Sequence, residues 1–281
     1  MAEVVGEEGR NLSRIDSPEG IRARIRSGQW VGPTSGLAAG SCQANLLVLP
    51  AAVADDFERY CRLNPGPCPL IERLAAGGTE PISAPGADLR TDLPRYRRQM
   101  VDSMEESTDA RTWWRPDAVA FLLGCSFTFE EALVRAGLPL RHQEEGRNVS
   151  MYRTDRLTEP AGPFQGPLVV SMRPFPAEQV STVAALTAPW VGAHGAPVHA
   201  GDPAGLGIAD LARAEWGDPV TIRPGEVPVF WACGVTSQVA VEGAIRAGSC
   251  EWAISHAPGH MFITDLPAES ALGQAACRRA R

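Results

Sequence analysis

Apolar residues gather into short continuous runs that end in a tight turn and pass into segments of helical spacing. Three stretches repeat this form: "DAVAFLLGCSFTFEEALVRAG", "GPLVVSMRPFPAEQVSTVAALTA" and "VPVFWACGVTSQVAVEGAI". Each predicts a strand, a turn and a helix, the first helix running through Ala136 with acids in its opening turn. Before them, a strand is predicted from about Ala44 to Leu49, then helical spacing up to Arg62 and a Pro-Gly turn. An earlier helix is signalled by Ser17 as N-cap, Pro18 in the first turn, Glu19 beside the positive helix end and Gly28 as the stop. "PGADLRTDLPRYRRQ" reads as a charged, proline-bounded loop, "APVHA" as a strand, "GLGIADLARAEW" as a short helix and "CEWAISHAPGHMFITDL" as strand, loop, strand. The first dozen residues have little to bury and are expected to be mobile.

Strands alternating with helices indicate an α/β fold of layered αβα type, with sites expected where strand ends face helix N-termini. The proline-rich stretch 140–222 differs in character. It is expected to be a smaller α+β domain inserted into a main α/β domain made of 1–139 and 223–281.

Composition sharpens this. Gly 28 and Pro 24 among 281 residues make about 18%, against roughly 12% in average proteins, so much of the chain is shaped turn. A net charge of −7 with scattered Lys and Arg offers nothing to polyanions, so no nucleic-acid partner is expected. The N-terminus lacks a signal-peptide pattern and no apolar run reaches the ~18 residues of a bilayer span, which predicts a cytoplasmic protein without a membrane partner. Seven cysteines, an odd number with no C-x-x-C pair, oppose a disulfide framework and a structural zinc site.

Candidate chemistry lies in the turns. Four of five histidines fall in "HGAPVH" (His194, His199) and "HAPGH" (His256, His260). A Pro-Gly interior makes the second an improbable helix, so it is no H-E-x-x-H metal clip. Loop histidines with Asp202 or Asp265 still leave a divalent metal open, and plain hydrogen bonding to loop carbonyls is the bland alternative. Cys125 and Cys233 each stand where an apolar strand meets a helix, with Ser126, Thr128 and Thr236 alongside. Helix N-termini lower a thiol pKa and offer N–H groups to anions, and opposed thiols suit a cofactor-independent racemase or epimerase, yet each alone is more often a small buried hydrophobe. Arg90, Arg95, Arg147, Arg153 and Arg173 stand in Gly/Pro-framed segments where a guanidinium can take a carboxylate, which favours a small acidic ligand. Gln43 and Asn45 can point amides into a pocket at the start of their strand.

The strings "GPTSGLAAGSCQANLLVLP", "NPGPCPL", "APGADLRTDLPRYR", "FLLGCSFTFEEAL", "EEGRNVSMYRT", "GPLVVSMRP", "HGAPVH", "GDPAGLGIADL", "GDPVTIRPGEVPVFWACGVT" and "SHAPGHMFITD", in this order, resemble the hydro-lyase family related to D-glutamate cyclase, from about Ile21 to Asp265. The resemblance implies a two-part α/β and α+β fold and an intramolecular dehydration of D-glutamate to 5-oxo-D-proline. Ala39, Ser41 and Cys42 depart from the family's usual loop, which bears on the substrate if that loop lines the pocket.

Such a cyclisation assigns the carboxylate to Arg90 and Arg147 with Arg173, Gln43, Asn45, His194 and His199 around it. Proton transfer falls to His256 or His260, and oxyanion donors to the backbone around Cys125-Ser126 and Gly234. No cofactor is expected to be required, a divalent metal is left open, and the partners expected are a small acidic substrate and another copy of the chain. The alternatives are the two-cysteine racemase, with Cys125 and Cys233 as acid and base, and a non-catalytic binder of small acids.

Overall fold

The computed structural model describes residues 17–273 and the backbone of 278–279. The expectation of a mobile first dozen residues, and the cysteine at 277, lie outside the described residues. The chain is a mixed α/β fold. In order, the elements are α1 (Pro18–Arg26), β1 (Ser41–Pro50), α2 (Ala51–Leu63), β2 (Leu70–Arg73), β3 (Tyr96–Met100), β4 (Met104–Ser107), β5 (Ala118–Gly124) and α3 (Phe127–Arg135). They continue with α4 (Arg141–Glu144), β6 (Ser150–Leu157), β7 (Pro167–Pro176), α5 (Val180–Thr187), β8 (His199–Ala200), β9 (Glu226–Ala232), α6 (Val235–Arg246), β10 (Trp252–His256), β11 (Phe262–Pro267) and β12 (Arg278–Arg279).

One sheet runs β12-β2-β5-β1-β10-β3-β4, with β11 also paired to β1, and a second runs β6-β7-β9-β8. Every pairing between these strands is antiparallel except that of β12 with β2. The four-stranded sheet draws β9 from 226–232, beyond residue 222 where the sequence suggests a boundary.

Strand β1 is the centre of the molecule, and its near-continuous apolar run follows from coverage on both faces. Ala44, Leu46 and Val48 pack with Ala120, Leu122, Trp252 and Phe262 on one side. Leu47 and Leu49 pack on the other against Phe57 of α2, Phe121, Phe164 and the Ala240–Ile245 face of α6. Burying each such Leu or Phe contributes about 1.5–3 kcal/mol. Along one edge β1 pairs β5 from Ala44 to Pro50. Along the other it is shared, first by β11 up to Ala44 and then by β10 at Leu47 and Val48, so the sheet forks at Asn45-Leu46.

Helix α1 forms for the reasons its sequence gives: the Ser17 hydroxyl accepts the Gly20 N–H at 3.1 Å, and Gly28 follows at φ 75°. It docks on β11 through buried Arg22, which donates to Asp265 at 2.8 Å and to the Ile263 carbonyl at 2.9 Å. Two segments differ from expectation. The end of "PGADLRTDLPRYRRQ" is strand β3, because Arg97 and Arg98 find cross-strand partners in Glu106 and Glu105 of β4, at 2.8 and 2.7 Å. "GLGIADLARAEW" forms turns after a short 3₁₀ segment, since Leu206 and Ile208 bury against the second sheet and leave no helical face to pack. No helix among the described residues is long and apolar enough to cross a membrane.

Candidate active site

The C-terminal ends of β5 and β9 deliver two matched corners to the start of β1. In the first, Gly124-Cys125-Ser126 leads into α3; in the second, Ala232-Cys233-Gly234 leads into α6. Three residues after each cysteine a threonine hydroxyl straps the corner to a neighbouring strand. Thr128 Oγ1 accepts the Gln43 N–H at 3.1 Å, and Thr236 Oγ1 accepts the Val169 N–H at 2.9 Å. Asn45 joins the corners: its amide donates to the Gly124 carbonyl at 2.7 Å and lies against the α-carbon of Gly234, where any Cβ would overlap it. A Cβ on Gly124 would overlap the Gly192 carbonyl, so the loop carrying His194 also closes on this point.

Both thiols are held neutral. Burial pushes Cys125 up to about 12 and Cys233 up to about 11, and neither the N–H two residues on nor the nearby Arg173 guanidinium cancels it. Arg173, on β7 and without exposed surface, lies over the rings of Phe129 and Trp231. It donates to Ser126 Oγ at 3.0 Å and, from Nε at 3.1 Å and Nη2 at 2.5 Å, to Glu130 Oε1. His142 Nε2 reaches the same oxygen at 3.2 Å, while Ser35 Oγ and Gln143 Nε2 donate to Oε2 at 2.8 and 2.9 Å. Burial disfavours the Glu130 charge, but His142 and Arg173 outweigh it and hold this carboxyl at about 2.

Five residues into the second corner, counting from its cysteine, stands Gln238 in the place Glu130 takes in the first. It meets His256, the last residue of β10, inside the fork. His256 Nδ1 lies 3.1 Å from the Leu46 carbonyl. A carbonyl only accepts, so Nδ1 carries the proton and Nε2 presents a lone pair, 3.3 Å from the Gln238 amide nitrogen. Burial lowers His256 to about 4, helped by His260 and Arg97 and opposed by the Leu46 bond, so the ring is neutral near pH 7. Gln238 also forms part of the wall of a cavity of about 360 Å³ between α6, the β1/β10/β3 face and the Glu215-Trp216 turn. Arg97, Gln99, Arg153 and Ser255 line it as well, and its Val235, Val239 and Trp216 belong to the apolar cluster that holds Cys125 and Cys233.

Of the residues singled out by sequence, the fold therefore unites Cys125, Ser126, Cys233, Gly234, Asn45 and Arg173, with His256 on the fork. Gln43 donates to the Thr34 and Leu37 carbonyls at 2.9 and 3.0 Å and so anchors the glycine-rich loop; its buried Oε1 has no partner. His194, at φ 80°, is buried with Nδ1 2.8 Å from the Gly66 carbonyl, and burial lowers it to about 4. His260 folds onto its own turn with Nδ1 3.1 Å from the Pro258 carbonyl, and that turn is pinned by the Thr34 N–H on Gly259 O at 2.9 Å. His199 is tied to the Asp202 carbonyl at 2.7 Å in the second sheet's loop. Arg90 is paired with Asp88 at 2.8 Å, and Arg147 bonds the Pro219 carbonyl beside Glu145. Glu130 and His142 escaped the sequence reading: one looked like an ordinary first-turn acid, the other was the single unclustered histidine. Among the described residues no group of three or more His, Cys, Asp or Glu side chains is arranged to hold a metal ion, and Asp265 is occupied by Arg22.

Residues 119–265 match the model of the D-glutamate cyclase family. A protein of Stutzerimonas stutzeri named "Putative hydro-lyase" is 52% identical over 252 residues, 89% of this chain and 94% of its own. Proteins of the same name from Rubrobacter xylanophilus and Streptomyces avermitilis are 55% identical over 246 residues and 52% identical over 263 residues. These alignments cover 87% and 91% of this chain, and 93% and 94% of theirs. Among solved structures, a nitrogen repressor-like protein from Methanococcus jannaschii aligns over 94% of this chain and all of its own, at TM-score 0.38 and 9% identity.

Proposed function

Since the chain belongs to the D-glutamate cyclase family of hydro-lyases, we propose that it closes D-glutamate, or a related acidic amino acid, to a 5-oxoproline-type lactam with loss of water. The observation that carries this reading is His256: a neutral imidazole with one nitrogen committed to Leu46 and the other facing a cavity wall. In the ring closure the substrate nitrogen forms a bond to the side-chain carboxyl carbon and one C–O bond breaks. The two protons that the ammonium gives up leave with the departing oxygen as water. His256 Nε2 takes protons from the nitrogen and returns them to that oxygen. The Cys125 and Cys233 thiols, protonated near neutrality, and the N–H groups opening α3 and α6 donate to the developing oxyanion, beside the fixed positive charge of Arg173. The cavity is the substrate's place, and a small acid its occupant.

Proton NMR in deuterated water with D-glutamate, L-glutamate and 5-oxo-D-proline tests this. Formation of 5-oxo-D-proline is expected from the D isomer, with His256→Asn lowering turnover by about 100-fold or more while melting stays cooperative. Near-normal turnover of that variant removes the assignment.

A second reading, racemisation by two thiols, draws on the pairing of Cys125 and Cys233 in matched corners. It requires one of them as thiolate, against the effect of burial. If it holds, α-proton exchange occurs without ring closure and Cys233→Ser abolishes it.

A further inference from the structure

Four charged side chains line the cavity beside α6, and three of them are engaged. Arg97 Nε donates to Glu106 at 2.8 Å, Glu242 accepts from Arg246 at 2.8 Å, and Glu215 takes the backbone N–H of Arg153 at 3.3 Å. The fourth, the Arg153 guanidinium, has no carboxylate within ion-pair reach among the described residues. It lies instead over the indole of Trp216, 5.6 Å from the ring centroid. Trp216 is itself fixed, since a bridge to Met151 at 2.9 Å ties its backbone to β6, the strand that carries Arg153. A guanidinium over an aromatic face keeps its N–H edge for a planar anion and has lost part of its rotamer freedom beforehand.

We propose that Arg153 is the specificity-determining residue of this cavity and selects ligands with a second carboxylate, which it binds through paired N–H donors. The proposal rests on the reading of the cavity as the substrate site and adds the residue that separates diacids from monoacids. Arg153 and Gln238 line the same cavity, and the proposal places a short diacid with one end at Arg153 and the other on the Gln238 side, where His256 lies. The neutral lining groups, Gln99 and Ser255, supply hydrogen bonds without adding charge of either sign.

Titration calorimetry of the full chain with glutarate and with butyrate tests this without requiring turnover. Glutarate is expected to bind more tightly than butyrate. Arg153→Gln should weaken glutarate about tenfold or more, as for loss of a charge-assisted pair, and leave butyrate unchanged. Arg153→Lys should recover part of the loss, because charge survives and the bidentate fork does not. Equal binding of the two acids by the unaltered chain, or glutarate binding untouched in Arg153→Gln, overturns the proposal. The cyclase reading fails separately, if D-glutamate binds in an Arg153-dependent way and no 5-oxoproline signal develops.

Discussion

Ser126 and Gly234 stand at the same point of two corners, with φ and ψ of −59° and −21° in one and −60° and −21° in the other. Around this shared backbone the chemistry diverges. The first corner ends in buried Glu130, whose oxygens are saturated by Arg173 and His142 from the interior and by Ser35 and Gln143 from the surface side. The second ends in uncharged Gln238, which leaves His256 neutral and adjoins the cavity. A fully satisfied charged network fixes geometry and charge together, whereas an uncharged amide 3.3 Å from Nε2 holds the imidazole in position without charging it. On the proposed reading, the first corner anchors and the second moves protons.

The largest expected effect comes from removing the anchor. Arg173→Met leaves Glu130 buried without its guanidinium partner, and should cost about 3–5 kcal/mol of stability in urea unfolding. A loss below about 1 kcal/mol would show that the first corner is not held by this pair.

Acid titration separates the corners next. His256, like His194, has its folded value depressed from 6.5 to about 4, so folding favours the neutral ring. The stability this gives is complete above about pH 6.5 and is lost as pH falls toward 4, at roughly 3 kcal/mol for each ring. Glu130, depressed from 4.5 to about 2, contributes fully above about pH 4.5 and loses that contribution as pH falls through 2. Unfolding free energy measured against pH should therefore fall in two steps. His256→Asn should reduce the upper one and Glu130→Gln the lower; a single step unaltered by either variant contradicts the assignment.

Gly234→Ala is expected to cost about 1–3 kcal/mol and to displace Asn45, since the added methyl overlaps that amide. The matching position in the first corner already carries the side chain of Ser126 without strain.

The smallest and sharpest change is Gln238→Glu, which makes the second corner chemically like the first. A carboxylate beside His256 raises its pKa, and the acid limb of the pH–rate profile should move upward by about one unit or more. An unmoved limb means that His256 does not set it.

Both corners were legible in sequence, because an apolar run, a small-residue turn and an amphipathic helix are local patterns. Cys125, Cys233 and Ser126 could be placed at helix starts for that reason. The anchor was not legible. Arg173 meets Glu130 across 43 residues of chain, and nothing in "FTFEEAL" separates Glu130, which is buried, from Glu131, which is partly exposed. The fork was hidden too: an apolar strand covered on both faces reads the same whichever neighbour it pairs and in whichever direction. His256 was singled out by its closeness to His260, yet Leu46 and Gln238 fix its tautomer. Arg90 and Arg147 looked like ligand arginines because their loops are glycine-framed, a feature that also describes arginines paired with adjacent acids such as Asp88 and Glu145.

The neutral thiols have a practical consequence. Cys42, Cys68, Cys125 and Cys250 are free and buried, with Cys233 partly accessible, and alkylating reagents attack the thiolate. Cys42, Cys125 and Cys250 are pushed up to about 12, 12 and 11, so labelling of these three in the native state must wait for local opening. Mass-resolved alkylation thus becomes a clock distributed through the molecule: Cys42 times the release of β1 from the β11 end, Cys125 the first corner, and Cys250 the far end of α6, without any introduced probe.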